Sequence, residues 1–369
     1  MNEALVVGGG PAGAALAIAL RRAGRQVVLV EKEPAAHDKV CGEFLSAEAL
    51  GYLQELDVDV AALEAVPIDA VTMVRGRKLT RRALPFVAMS LSRRRLDETL
   101  LERAVDAGVC LVRGARVVAL EHEGDGWAAR ISHEERISAK SVFLCTGKHD
   151  LRGWRRPVGK HDDLIAFKMH WRLTAQQHAA LGSSVELMLF DRGYGGLEPV
   201  EGGIANLCVL VRHARLQQLG GWTELLAALR SECTHLDERL QGAGALWARP
   251  LALSAIPYGY VCAHADGVWR LGDQAAVIPS FSGDGMSIAL HSARVAAEVF
   301  VGGGSAAVFQ KRMRKEVGLQ VAVATAISRL MLAAPGAVMT AVRLWPDALR
   351  LAAVMTRIRE DVVRRQGAG

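Results

Sequence analysis

Residues 4–31 read ALVVGGGPAGAALAIALRRAGRQVVLVE, and this stretch decides the fold. An apolar run at 4–7 is followed by a glycine loop at 8–13, a helix of small residues at 14–23 and a second β-branched run at 27–30, which together make a β-α-β unit. Gly8, Gly10 and Gly13 stand in the GxGxxG spacing, with Pro11 and Ala12 between them at the start of the helix. Gly8 permits the tight turn, Gly10 lets the backbone approach a pyrophosphate, and Gly13 lets helix and strand pack closely; the helix N-terminus favours the phosphate charge. Glu31 closes the second strand eighteen residues after Gly13, where a carboxylate can accept hydrogen bonds from ribose hydroxyls, and Lys32 follows it. A nucleotide cofactor is the expectation.

Outward from there, residues 93–107 read as a helix with Leu96, Leu100, Leu101 and Ala104 on its apolar face, and 110–112 as a strand. Residues 116–122, 127–131 and 136–138 suggest a small antiparallel set before an apolar strand at 141–145. Residues 165–254 mix strands (166–173, 185–190, 204–211) with a helix at 222–232 and read as a separate substrate domain. A buried strand at 269–271, a second glycine loop at 272–285 and a helix at 286–299 come next. The expected division is a first nucleotide-binding part at 1–164, with a small insertion near 66–90, then the substrate domain at 165–254. A second nucleotide-binding part at 255–305 and a helical C-terminal region at 306–369, broken at Pro335-Gly336, complete it.

The composition narrows the function classes. With 51% hydrophobic residues in 369 the chain can bury a full core, and its net charge of +6 comes from scattered arginine clusters, not a basic stripe, so nucleic acid is not an expected partner. Six cysteines without a CxxC pair give no metal site. The first strand starts almost at Met1, which leaves no room for a cleavable leader, and the apolar stretch 317–342 is interrupted by Arg329 and Pro335-Gly336. The expectation is a cytoplasmic protein, with a C-terminal region that packs on the body or lies peripherally on a membrane.

The second glycine loop carries a family resemblance. GDQAAVIPSFSGDGMSIAL, residues 272–290, resembles the loop with which flavoprotein monooxygenases of the aromatic hydroxylase type, geranylgeranyl reductases and flavin-dependent halogenases hold FAD. LSRRRLDETLLERA resembles the family's arginine-containing helix, KVCGEFLS its Cys-Gly or Gly-Glu segment, and VFLCTGKHD its strand ending in Thr-Gly. The resemblance implies an α/β fold: a Rossmann-type, glutathione-reductase-like FAD-binding domain, an inserted sheet-based substrate domain and a helical tail. It implies that Arg93 approaches the cofactor diphosphate, that Gly147 belongs to the cofactor site, and that Gly272 and Asp273 meet the ribityl chain. Gly283, Asp284, Gly285 and Met286 would present backbone N–H groups and a helix end to the flavin pyrimidine edge, with Pro279 shaping the face open to oxygen or substrate. Cys41 would tune the flavin, and Glu43 contact substrate or a halide-like ligand; a buried structural cysteine and a helix-starting glutamate are equally open.

Two departures from the family pattern bear on activity. GYGGLEPVEGG keeps Tyr194 and Pro199 of the reductase and halogenase strand but has Gly196 for its central tryptophan and Glu198 before the proline, which argues against a typical halogenase and opens space over the flavin. Lys78 stands near the halogenase lysine, but in RGRKLTRR it reads as a solvated hairpin charge. Gly147-Lys148-His149-Asp150 replaces the Asp-Gly motif of hydroxylases that take NAD(P)H directly, so a separate flavin reductase is the alternative electron source. The resemblance implies monooxygenation of a small aromatic or lipophilic molecule by molecular oxygen through a flavin C4a-hydroperoxide. The alternatives are a prenyl-chain reductase or dehydrogenase, a flavoprotein acting on a partner protein, and a non-enzymatic electron-transfer or assembly module. By residue type alone, Tyr194, His149 and His170 are candidate acids or bases.

Overall fold

The computed structural model describes residues 2–132, 135–157, 159, 163–263 and 265–358; the last part of the expected C-terminal region lies outside them. The β-α-β unit forms as expected, with strands Asn2–Val7 and Val27–Glu31 parallel and helix Pro11–Arg22 between them. Leu16, Ile18 and Leu20 on that helix are fully buried against helices Arg93–Asp106 and Gly285–Val301. This helical layer and the underlying strands make one continuous core.

The runs at 136–138 and 141–145, expected as separate strands, are one strand, Arg136–Leu144. Its first half pairs antiparallel with Gly126–Ile131 and its second half parallel with Asn2–Val7, so it belongs to both the small antiparallel set and the nucleotide-binding sheet. No turn residue separates the two halves in RISAKSVFL, and a strand continues where nothing stops it. Trp269–Arg270 adds to the same sheet beside this strand, and so carries the second glycine loop to the ends of the parallel strands.

A second sheet is built mainly from Leu164–Arg172, Ser184–Phe190, Gly193–Val200 and Ile204–Arg212. The hairpin Val66–Arg75 and Lys78–Ser90, expected as an insertion of the first nucleotide-binding part, joins this sheet instead, since Val66–Arg75 pairs parallel with Ser184–Phe190. A parallel partnership across more than a hundred residues leaves no mark in the local sequence, which is why the hairpin reads as a local insertion. Lys78 sits exposed at the hairpin turn, as its flanking charges suggest.

The C-terminal region forms helices Ala306–Ala333, Pro335–Leu344 and Ala348–Met355. The break falls at the expected place, with Pro335 in the first turn of the second helix, where its missing N–H costs nothing. Ala306–Ala333 is long and apolar enough to cross a membrane by length and composition, but Phe309, Met313, Val317, Val321 and Ala324 are buried in the nucleotide-domain core. The two later helices pack on the 66–90 hairpin and close the second sheet from one side.

Candidate cofactor and substrate site

One cavity of ≈ 1340 Å³ runs from the glycine loop, along the ends of the parallel strands, and on between the second sheet and the C-terminal helices. Pockets for drug-sized ligands usually hold about 300–1,000 Å³, so this space can take a large cofactor and a second molecule.

At the nucleotide end, Gly8, Gly10, Pro11, Ala12, Glu31 and Lys32 line the cavity. Gly8 has φ +106°, and a Cβ on Gly13 would stand 1.9 Å from the Gly8 carbonyl oxygen, so Gly13 serves helix–strand packing and not the lining. A Cβ on Gly10 would meet only Arg93 Nη2, at 3.6 Å, which leaves the backbone open to a phosphate. No acidic residue stands in the first helical turn to compete for that charge. Glu31 Oε2 accepts the Gly9 N–H at 2.6 Å and Oε1 the Glu33 N–H at 2.9 Å, and each oxygen retains lone pairs for a ribose. Arg93 is held in place by a bidentate pair with Asp97, 2.8 Å on each branch, and Lys39 reaches the same carboxylate at 2.8 Å. Burial opposes the charge on Arg93, but Asp97 outweighs it and raises its pKa.

In the middle of the cavity, Gly147, His149, Gly272, Asp273, Gly283, Gly285 and Met286 form the lining. Asp273 pairs with Lys148 at 3.0 Å, and the Arg156 guanidinium donates to the Asp273 carbonyl. The 147–150 segment is tied down by Gln274, whose amide donates to Gly147 O (2.9 Å) and His149 O (3.1 Å), while Asp150 is spent on Arg156 at 2.7 Å. His149 is kept below the usual histidine pKa by burial and by the cations Lys32, Lys148, Arg156 and Arg116, which places it electrostatically with the nucleotide half. One expectation is corrected here. Pro279 is buried but does not line the cavity; its neighbours Ile278 and Ser280 do. The Asp284 side chain turns away from the cavity into the core, toward Ser46 (3.5 Å) and Gln320 (3.1 Å). Burial pushes its carboxyl up to about 7, with Arg357 opposing. Glycines 283 and 285, without side chains, are what leave the helix end open.

The third group could be read from sequence only in part. Strands Leu164–Arg172, Ile204–Arg212 and Gly193–Val200 are paired so that Lys168, Cys208 and Gly196 form one cross-strand row and His170, Asn206 and Glu198 the next. Directly paired residues share a sheet face, so the two rows make a polar floor. The 41–43 segment lies on it: Asn206 Nδ2 donates to Cys41 O and Gly42 O, both at 3.0 Å, and Cys208 Sγ to Cys41 O at 2.9 Å. Glu43 has φ +67°, an uncommon value for a residue with a side chain, and is fully buried. Its carboxylate receives the Lys168 ammonium, His170 Nε2 (2.8 Å) and the Arg93 N–H (2.8 Å). Burial works against its ionisation, but Lys168 and His170 outweigh it and keep the carboxyl below the usual range. Glu43 therefore anchors the segment to the sheet, and it stands on the cavity lining. Cys41, also on the lining, stays a free thiol. Tyr194 lines the cavity with its hydroxyl 3.3 Å from Ser280 Oγ and its ring edge-on to Phe281. Lys168 escaped the sequence reading, although an ionisable residue alternating with His170 in the otherwise apolar LIAFKMHWR was a signal.

The glycine cradle, the phosphate-facing helix end and Arg93 together fit FAD. Residues 1–159 match the FAD binding domain family. The chain is 26% identical to menaquinone reductase of Mycolicibacterium smegmatis over 82% of its own length and 77% of that protein's. It is 26% identical to digeranylgeranylglycerophospholipid reductase 2 of Methanopyrus kandleri over 80% and 76%. Its fold matches that of a flavin-dependent brominase with a TM-score of 0.81 at 16% identity, over 96% of this chain and 93% of the other. The chain is thus an FAD-dependent oxidoreductase whose first 159 residues match the FAD binding domain family and whose sequence is similar to menaquinone reductase and to a digeranylgeranylglycerophospholipid reductase.

Proposed function

We propose that this protein reduces a carbon–carbon double bond in a long lipophilic, isoprenoid-type chain. The observation that carries the reading is the apolar arm of the cavity, where Met73, Leu187 and Leu210 of the second sheet face Met331, Val342 and Leu349 of the C-terminal helices. This arm is continuous with the FAD cradle, so a hydrophobic chain lying in it reaches the cofactor without leaving apolar surroundings. Similarity to two reductases of isoprenoid lipids over three quarters of their length supports the same substrate class. A deep cavity shared with the second sheet also favours a small molecule over a partner protein as substrate.

Bound FAD, once reduced, supplies the hydride. The chain's own residues do the rest: the glycines and Arg93 hold the diphosphate, the Glu43–Lys168–His170 cluster fixes the 41–43 segment, and the apolar arm orients the substrate and excludes water. Monooxygenation, the activity expected from the sequence, begins from the same reduced cofactor but needs oxygen to enter. An anaerobic incubation of the pre-reduced, FAD-loaded protein with menaquinone and with geranylgeranyl lipids, followed by mass spectrometry, tests the choice. A gain of two hydrogens is expected. An unchanged lipid under these conditions, with an added oxygen atom when air is admitted, would overturn reduction in favour of monooxygenation.

For electrons we propose a separate donor protein, since the 147–150 segment is bound into internal contacts with Gln274 and Arg156. By the same lipophilic-substrate reading, the protein works at a membrane surface from the cytoplasmic side.

A further inference from the structure

We infer that the Glu198 carboxyl is the proton donor to the bound substrate, an inference that rests on the double-bond reduction proposed above. Glu198 lines the cavity beside Gly196, where an added Cβ would meet no atom within 4 Å, so there is room for a substrate next to the acid. It is 3% exposed, and its Oε2 has no hydrogen-bond partner among the described residues. A buried carboxylate left in that condition would be strongly disfavoured. The surroundings give it no cation to itself: Lys168 and His170 are already engaged by the Glu43 carboxylate. Burial, with Glu43 and Cys41 adding to it against Lys168 and Asn206, pushes the Glu198 carboxyl well above the usual range and so favours its protonated form.

Two competing donors in the same cavity, Cys208 and Tyr194, are committed elsewhere. The Cys208 thiol donates to Cys41 O, and burial raises its pKa. The Tyr194 hydroxyl sits with Ser280, and burial raises its pKa too. Glu198 is the acid with an unsatisfied oxygen, and it stands one strand away from the anchored Cys41-Gly42-Glu43 segment.

The step balances. One alkene carbon accepts the hydride of the reduced flavin, the π electron pair at the other carbon takes the Glu198 proton, and the Glu198 O–H bond breaks to leave a carboxylate. The alkene gains two electrons and the cofactor loses two. A second carboxylate beside Glu43 is electrostatically unfavourable, and this drives reprotonation from water once product leaves.

The test compares FAD-loaded wild type with Glu198→Gln and Glu198→Asp. Glutamine keeps the shape and polarity but cannot transfer a proton. FAD affinity and melting temperature should be preserved in both variants. In infrared difference spectra at neutral pH, the wild type should show the carbonyl band of a protonated carboxylic acid, sensitive to D2O and missing from Glu198→Gln. Its absence from the wild type would overturn the inference, whatever the substrate. In single turnovers of the pre-reduced protein with menaquinone, Glu198→Gln should be slower by about 10²–10⁴-fold, with partial recovery in Glu198→Asp. Equal rates in wild type and Glu198→Gln would remove Glu198 from the chemistry and leave the reductase reading standing. A wild type that reduces no isoprenoid lipid would remove that reading instead. The band then decides for Glu198 alone: a shift on adding menaquinone supports donation to a ligand, and an unmoved band refutes it.

Discussion

Replacing Lys168 by methionine should destabilise the protein in a pH-dependent way that reports on the Glu43 cluster. Lys168 and Glu43 both have fully buried side chains, so the variant leaves a carboxylate without its main counter-charge. Removing one partner of a buried pair costs about 3–5 kcal/mol. His170 Nε2 and the Arg93 N–H remain at 2.8 Å each, so the lower end applies, about 3 kcal/mol. For a chain of 369 residues that is a fall in Tm of roughly 4 °C near neutral pH. In the wild type the folded pKa of Glu43 lies below its ordinary 4.5, so the stabilisation is present above that value and is lost only as pH falls through the lower one. In Lys168→Met, burial becomes the dominant influence and raises the folded pKa above 4.5, so the penalty is largest at high pH and relaxes as the carboxyl protonates. The gap in Tm between wild type and variant should therefore shrink from pH 8 to pH 5, as followed by calorimetry. The double variant Lys168→Met, Glu43→Gln should lose less than Lys168→Met alone. A fall of under about 2 °C at pH 8, or a gap that does not change with pH, would refute the buried cluster as drawn.

Three further outcomes are expected. Gly10→Val should fold, since the new Cβ would meet only Arg93 Nη2, at an ordinary contact distance of 3.6 Å, but its FAD affinity should drop at least about tenfold by fluorescence titration; unchanged affinity would mean that the diphosphate binds elsewhere. Asp273→Ala should weaken FAD by the value of one or two hydrogen bonds, about 1–3 kcal/mol, while the Tm of the cofactor-free protein stays nearly constant; the reverse pattern would make Asp273 structural. Under anaerobic stopped flow, NADPH or NADH alone should reduce bound FAD slowly and an added flavin reductase should restore turnover, whereas fast reduction by NADPH, accelerated by a lipid ligand, would refute the need for a donor protein.

Much of this site was legible before any coordinates. The β-α-β unit is written within 28 residues because apolar periodicity, glycine spacing and the terminal acid are local properties, and Gly8, Gly10, Glu31 and Arg93 stand on the cavity as expected. The second glycine loop was equally readable, although the backbone alone could not say that Asp284 turns inward while Gly283 and Gly285 leave the helix end open. What tertiary structure alone decided is the polar floor. Glu43, Lys168, His170, Glu198 and Asn206 come from four separate elements, and only the antiparallel register brings them under one cavity. A single-residue slip in that register would turn His170 or Glu198 to the opposite face. Register is set by the burial of whole strands, a property of the assembled sheet, so the sequence marked the glycine loop and its terminal acid, and the packed sheet decided which buried acid stands without a partner on the same cavity.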